Sequence, residues 1–176
     1  MSRDQVLTDA QWALLEPLPQ LLLGDRIHAG DQNRRHSYGW PVDLDDARSY
    51  LAEHSHAVMV TRRVDGGLQS SPVAVTVDGE GRAIVSTRTG SAKERNLCRD
   101  PRAVLCVFPD GFYGPWVHVE GAAEVVRLPA ALPLLEDYYR RVAGEHPDWE
   151  DYRRAMRAEE RVLVQIVLDR AAGVTG

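Results

Sequence analysis

Hydrophobic and polar residues alternate along several short segments of the chain, and this period of two is typical of β-strands. The first three segments are AVMVTRR from residue 57, SSPVAVTV from residue 70 and AIVST from residue 83. Three more follow, RAVLCVF from residue 102, PWVHVEGAAEVVRL from residue 115 and RVLVQIVLD from residue 161. Short strands of this spacing, joined by turns that contain glycine, predict an antiparallel barrel.

Three local signals refine this picture of the strands. The stretch Asp65-Gly66-Gly67 predicts a hairpin turn between the first two. Pro72 has no amide hydrogen to donate, so its strand is expected at a sheet edge or a bulge. Gly121 interrupts the longest strand and predicts a β-bulge there.

After residue 41, a helical period predicts four helices, each with a recognisable start. Asp43 is the expected N-cap of the first. Ser91 lies three residues before Glu94, and this capping box starts the second. We expect Pro129 at the first position of the third helix and a start near Pro147 or Asp148 for the fourth.

The first 41 residues differ from the rest of the chain. LTDAQWALLEPL, from residue 7, predicts a helix capped by Thr8 and Gln11, and residues 24–41 are polar without a sustained period. We therefore predict an N-terminal extension or linker over residues 1–41 and one domain over residues 42–176. LTDAQWALLEPL also resembles the opening of insertion-sequence transposases, but no catalytic acidic triad follows, so it is a fused remnant or a chance match.

Composition narrows the classes of partner. The 176 residues carry a net charge of -5, which does not favour non-specific binding to nucleic acid. No apolar run is long enough to cross a membrane, and no basic signal-peptide start is present, so a cytoplasmic protein is expected. Cys98 and Cys106 lack the spacing of a zinc motif and are expected to be reduced thiols, Cys98 on a helix and Cys106 buried in a strand; no metal site is predicted.

The segment between the third and fourth strands carries the main candidate chemistry. The amides of the first helical turn after Ser91 lack internal partners and can bind an anion. Lys93 lies in that turn, where a cation opposes the helix dipole. The segment is therefore either an anion site or a capped helix with a solvated lysine. Trp116 and His118 alternate on one strand face and either line a cavity or belong to the core.

The same segment resembles the flavin-binding split-barrel superfamily, which includes pyridoxamine 5'-phosphate oxidase. Its pattern, Ser-x-Lys-x-x-Asn-Leu-x-x-Asp-Pro, starts here at Ser91 and ends at Pro101, with LQSSPV before it and VHVEGAAEVV after it. The stretch AGEHPDWEDYRRAMRAEERVLVQI, from residue 143, is similar to the actinobacterial branch that uses the deazaflavin coenzyme F420. The resemblance covers about Pro41 to Val174.

The resemblance implies a mainly β protein with flanking helices, a split β-barrel, and a homodimer with the cofactor in a cleft between subunits. Relatives often carry arginine in place of Ser91, so one phosphate contact is expected to be weaker or to be replaced by Arg88 or Arg95. Carried over by position, Trp116 and His118 come from the partner subunit and border the cofactor. The other expected contacts to its ring, chain and phosphate are Gln69, Ser70, Ser71, Ser86, Ser91, Lys93 and Asn96.

The function predicted from the sequence is an F420-dependent oxidoreductase that transfers hydride to an electron-poor small molecule. FMN in place of F420 is the first alternative. A protein that holds flavin, deazaflavin or heme without turnover is the second, and a transposase-derived DNA binder is a distant third. No side chain is predicted to be a catalytic acid or base. The chain lacks the Arg-Leu-x-Pro segment of true pyridoxamine phosphate oxidases, which argues against that substrate.

Overall fold

The computed structural model describes residues 40–111 and 114–174. Within these residues the chain forms four helices, α1 (Leu44–Glu53), α2 (Ala92–Arg99), α3 (Ala131–Ala143) and α4 (Trp149–Ala158). The strands are β1 (His56–Arg62), β2 (Leu68–Ala74), β3 (Thr76–Val77), β4 (Ala83–Arg88), β5 (Arg102–Phe108), β6 (Trp116–Val126) and β7 (Arg161–Val174). The helix predicted at Thr8, and with it most of the predicted extension, lies outside the described residues.

All seven strands belong to one antiparallel sheet, in the order β2-β1-β5-β6-β7-β4-β3. β2 and β3 lie at opposite edges of this sheet, yet Val75 alone separates them along the chain. The two edges must therefore come together, and β2 also contacts β4 directly. The sheet is thus curled into an open barrel, which confirms the split β-barrel expected from the sequence.

The corner at Val75 corrects one prediction. A single strand over residues 70–77 is wrong, because β2 pairs with β1 whereas β3 pairs with β4. The Val75 side chain is fully buried, and its amide donates to the Ser55 carbonyl at 2.8 Å. The same face stays buried through the corner, so the alternation of residue types continues and does not reveal the change of partner strand.

Two single-residue predictions about the sheet are confirmed. Pro72 lies in β2, an edge strand. The pairing of β6 with β7 shifts register between Glu120 and Gly121, which is the expected bulge. A β-carbon at Gly121 would collide with the carbonyl oxygen of Val167, so glycine is required there.

Two predicted boundaries differ from the structure. Helix α3 begins at Ala131, and Pro129 lies in the turn before it. Strand β7 continues to Val174 instead of ending near residue 169. Its last residues are mostly small and lack a strand-like pattern, but they pair with the first half of β6. The pairing of β7 with the long strand β6 therefore determines where β7 ends.

Hydrophobic side chains pack on both faces of the curled sheet. Inside the barrel, Leu51 of α1 packs with residues such as Met59 and Leu105. On the opposite face of β4 and β7, Leu135 of α3 and Tyr152 of α4 belong to a second cluster. This second cluster fixes the α3–α4 hairpin beside β4. No helix of the described part of the chain is long and apolar enough to cross a membrane.

Candidate functional site

The site begins at the corner where β4 leads into α2. Gly90 has a φ of +72°, a left-handed conformation that glycine adopts without strain. Ser91 then caps the helix, and its hydroxyl oxygen accepts from the Glu94 amide at 3.3 Å. The first hydrogen bond of α2 runs from the Arg95 amide to the Ser91 carbonyl at 3.0 Å. The amides of residues 92 and 93 precede that bond and are the ones a ligand can use.

The expected capping box is only half formed. The Glu94 carboxylate accepts from the Gly90 amide at 3.2 Å, one residue earlier than the box requires. Glu94 is 3% exposed, and its carboxylate forms an ion pair with Arg127. Because Arg127 compensates the buried charge, Glu94 anchors the start of α2 without leaving an unpaired negative charge beside it.

A cleft of about 740 Å³ opens beside this corner. One side consists of residues 72–74 of β2 and residues 86–88 of β4, with Ser91 and Lys93 at the start of α2. The other side is the α3–α4 hairpin, which contributes Tyr138, Tyr139, His146, Tyr152 and Met156 among others. The volume lies within the usual range for sites that hold small ligands or cofactors, about 300–1,000 Å³.

The cleft is positively charged although the chain as a whole is negative. Three cations line it, Arg88, Lys93 and Arg161, against one carboxylate, Asp151. Arg88 and Arg161 both bind the same oxygen of Glu159, each at 2.9 Å. Lys93 forms no ion pair with any residue that the structure describes. Lys93 is therefore the cation of the cleft most available to a bound anion.

Two tyrosines of the hairpin shape the wall of the cleft. The Tyr138 hydroxyl donates to the Ala74 carbonyl at 3.0 Å, and the Tyr152 hydroxyl donates to the Leu135 carbonyl at 2.8 Å. Burial raises the pKa of Tyr138, and it raises the pKa of Tyr152 to about 12. Both hydroxyls therefore stay protonated near neutral pH and hold the wall together instead of exchanging protons.

The structure brings three of the sequence-predicted site residues into this cleft, namely Ser86, Ser91 and Lys93. Gln69 and Asn96 lie together elsewhere. The Asn96 amide nitrogen donates to the Thr61 hydroxyl at 3.0 Å and to the Gln69 side-chain oxygen at 3.1 Å. Asn96 is 7% exposed. Its buried hydrogen bonds to Thr61 and Gln69 hold α2 against β1 and β2.

The remaining predicted residues lie along two strands. Ser71 lies on the same face of β2 as Gln69, whereas Ser70 is exposed on the opposite face and pairs with Val60. Trp116 and His118 are on β6, and the His118 ring contacts the Glu120 carboxylate at 3.2 Å. None of these four is among the residues that line the cleft.

Two further predictions concern the arginines near Ser91 and the two cysteines. Of the two arginines expected to replace a contact at Ser91, Arg88 lines the cleft, whereas Arg95 binds the Gly90 carbonyl. Cys106, expected in the core, is only half-buried, and Cys98 is exposed; both are free thiols. Within the described ranges, no group of three or more metal-ligating side chains comes together.

Sequence reasoning missed the hairpin wall of the cleft. Trp149 and Tyr152 lie three residues apart in α4, a spacing typical of side chains that pack against a core, and Tyr152 does pack there. No local pattern indicates that Tyr139, His146 and Met156 line the same cleft as the start of α2, which lies about 45 or more residues earlier in the chain. That placement follows from the second hydrophobic cluster, which joins the hairpin to β4.

A smaller cavity, of about 400 Å³, lies on the outer face of β1, β5, β6 and β7. Its arginines already have carboxylate partners. Arg62 and Arg102 lie 3.8 and 2.6 Å from Asp100, and Arg170 lies 3.9 Å from Glu120. The hydrogen bonds and charge of Arg102 lower the pKa of Asp100 to about 2. This cavity is thus close to neutral, unlike the cleft.

Solved structures with the same fold include proteins of several kinds. A conserved hypothetical protein from Mycobacterium tuberculosis matches with a TM-score of 0.64 and 23% identity, over 80% of this chain and 89% of that one. An F420 reductase matches with a TM-score of 0.56 and 21% identity, over 71% and 94%. A heme-binding protein from Mycobacterium smegmatis matches with a TM-score of 0.58 and 18% identity, over 77% of this chain and 55% of that one.

At these identities the likeness establishes the fold alone. The family follows from the sequence itself, because residues 44–174 match the family described as pyridoxamine 5'-phosphate oxidase. The matched residues run from the start of α1 to the end of β7 and contain the whole curled sheet and the cleft. The chain therefore belongs to the pyridoxamine 5'-phosphate oxidase family.

Proposed function

We propose that this protein is an oxidoreductase that uses coenzyme F420 to transfer hydride to an electron-poor small molecule. The observation that carries the proposal is Lys93, a cation without an ion pair among the described residues, at the start of α2 and inside the cleft. An F420 reductase among the proteins of similar fold supports the choice of cofactor.

The donors of the cleft fit a cofactor that carries a phosphate. Lys93 would bind the phosphate together with the amides of the first turn of α2, and Ser86 and Ser91 add hydroxyl groups. Arg88 adds a second cation nearby. The bound coenzyme supplies the hydride chemistry, whereas the protein supplies orientation and a shielded cleft.

Identification of the cofactor is the direct test. The protein would be purified from a host that makes both F420 and FMN, and any bound molecule identified by absorbance and mass. Titration of both cofactors into the purified protein, followed by fluorescence, then ranks them. Preferential binding of F420 supports the proposal, and preferential binding of FMN replaces it with an FMN-dependent oxidoreductase. Absence of binding to either would overturn it.

We also propose a homodimer in which the partner's copy of the outer sheet face borders the cleft. By outer sheet face we mean the solvent-facing side of β2, β1, β5 and β6. It carries half-buried or exposed apolar residues, among them Val58, Val60, Val104 and Trp116. Pro72 belongs to this face through its pairing with Val58, and it also lines the cleft. A subunit covering the face would thus reach the edge of the cleft.

Light scattering at micromolar concentration tests the dimer. The parent protein is expected to have the mass of two chains, and Val60→Asp is expected to have the mass of one. Glu53→Gln, at an exposed position of α1, is the control and should remain dimeric. A parent protein that is monomeric and still binds the cofactor would overturn the shared cleft.

Binding of heme without turnover is the second candidate function. The similar heme-binding protein favours it, as do His146 and Met156, two side chains in the cleft that can bind iron. One hydrogen bond argues against it. The His146 Nδ1 accepts from the Asp148 amide at 3.0 Å, whereas a ligating histidine usually donates its second N–H to a neighbouring acceptor. A hemin titration that gives no Soret shift would remove this candidate.

A further inference from the structure

The cofactor contacts proposed above assign no role to His146. It lies between α3 and α4, lines the cleft, and is half-buried. Three aromatic rings surround it, with centroid distances of 5.1 Å to Tyr139, 5.8 Å to Trp149 and 5.4 Å to Tyr152. Packing of this kind fixes the orientation of the imidazole before any ligand arrives.

The hydrogen bond at Nδ1 determines which nitrogen carries the proton. Since the Asp148 amide is a donor, Nδ1 must be the acceptor and cannot hold a proton. In the neutral ring the proton is therefore on Nε2. With Nδ1 occupied by the main chain, Nε2–H is the polar group that His146 can present to a molecule in the cleft.

The two carboxylates near His146 already have partners in the protein. Asp151, which lines the same cleft, forms an ion pair with Arg154. The Asp148 carboxylate accepts from the amides of Glu150 and Asp151, both at 3.0 Å, and so caps α4. A ligand oxygen near Nε2 would therefore not meet an uncompensated carboxylate.

We infer that His146 is a ligand-binding residue whose Nε2–H donates a hydrogen bond to a carbonyl or carboxylate oxygen of the cofactor, beyond the phosphate held by Lys93. This inference rests on the proposed function and adds a second recognition point on the opposite wall of the cleft. Lys93 binds charge, whereas His146 recognises an acceptor oxygen in a fixed direction. A cofactor with both groups would be held between α2 and the α3–α4 hairpin.

Two substitutions distinguish the roles of the two ring nitrogens of His146. In His146→Asn, the side-chain oxygen can replace Nδ1 and accept from the Asp148 amide, but the Nε2 donor is lost. In His146→Gln, the amide nitrogen can replace Nε2 as donor, but the acceptor at Nδ1 is lost. Both proteins are measured for melting temperature and for the dissociation constants of F420 and FMN, beside the parent protein.

The expected result is a crossed pattern. His146→Asn should bind its cofactor about two- to tenfold more weakly, the effect of one neutral hydrogen bond, with a melting temperature near that of the parent. His146→Gln should bind within about twofold of the parent, by the same measure, and melt at a lower temperature. An effect on F420 alone would assign the oxygen to a part that FMN lacks, and an equal effect on both would assign it to a shared part.

Two results would overturn the inference while leaving the proposed function intact. The first is parent-like affinity in His146→Asn. The second is the reverse pattern, with weak binding only in His146→Gln, because it would show that His146 acts through the start of α4 alone. Failure of the parent protein to bind either cofactor would overturn the proposed function, and the inference would fall with it.

Discussion

Helices α1 and α2 begin in the same way but carry opposite charges at their second positions, Asp45 in α1 and Lys93 in α2. Asp43 caps α1 by accepting from the Asp45 amide at 2.7 Å, and Ser91 caps α2. At the second helical position, α1 has the carboxylate of Asp45 and α2 has the ammonium of Lys93. Asp45 therefore matches the dipole of α1, whereas Lys93 opposes the dipole of α2.

The first turns of α1 and α2 also differ in their surroundings. The first turn of α1 is at the surface, where Asp45 also pairs with Arg48 at 2.6 Å. The first turn of α2 lines the cleft. A cation at a helix N-terminus is unfavourable by about 0.3–1 kcal/mol, and a bound anion reverses that effect. Local rules of helix design are broken mainly at functional sites, and α2 fits that pattern.

Replacement of Lys93 should give the largest effect. Loss of a charge-assisted hydrogen bond costs about 1.5–3 kcal/mol, so Lys93→Ala is expected to bind the cofactor about ten- to a hundredfold more weakly. Fluorescence titration measures this directly. The matched control is Asp45→Ala, which removes a charge at the same position of α1 and should leave cofactor affinity unchanged.

Two measurements assign the Lys93 effect to the phosphate. A deazaflavin fragment without phosphate should bind Lys93→Ala and the parent alike. Added salt should weaken binding of the intact cofactor to the parent more than to the variant, because salt screens the charge that the variant lacks. Equal affinity of both proteins for the intact cofactor would mean that the start of α2 is only a capped helix.

Removal of the two caps should have a smaller effect, on stability. Loss of an N-cap costs about 0.5–2 kcal/mol. Ser91→Ala is expected near the upper end of that range, because Ser91 also hydrogen-bonds the Thr87 hydroxyl at 3.1 Å in a half-buried corner. Asp43→Ala, at an exposed cap, is expected near the lower end. Urea unfolding measures both, and Ser91→Thr is the control that keeps the cap. An equal loss in both alanine variants would show that the Thr87 contact adds nothing.

Local features explain what the sequence predicted well. The alternation of hydrophobic and polar residues predicted most strands, Pro72 predicted an edge strand and Gly121 predicted the bulge. Each of these features depends on a few neighbouring residues. The Ser91 cap was predicted for the same reason. The half-formed box at Glu94 was not, because Arg127, which pairs with this carboxylate, comes from a distant turn.

The other wall of the cleft depended on tertiary packing and could not be predicted. Nothing near His146 in the sequence indicates the start of α2. The two line the same cleft because the α3–α4 hairpin packs on β4 and β7. Gln69 and Asn96 are the opposite case, since both were predicted to bind the cofactor but do not line the cleft. Both come from the segments expected to bind cofactor, yet in the structure they bind one another.

The smallest expected effect, on stability, has opposite signs in the two helices. Lys93→Met keeps the aliphatic stem and removes the charge, so without ligand it should raise the free energy of unfolding by about 0.3–1 kcal/mol. Asp46→Asn keeps the shape of a first-turn carboxylate of α1 and should lower it by a similar amount, about 0.3–1 kcal/mol. Urea unfolding at low ionic strength measures both, and at high salt both changes should shrink, because screening weakens charge–dipole interactions at exposed helix ends. Destabilisation in Lys93→Met would mean that its ammonium has a favourable partner in the free protein, and the contrast between the two helix starts would no longer indicate an anion site.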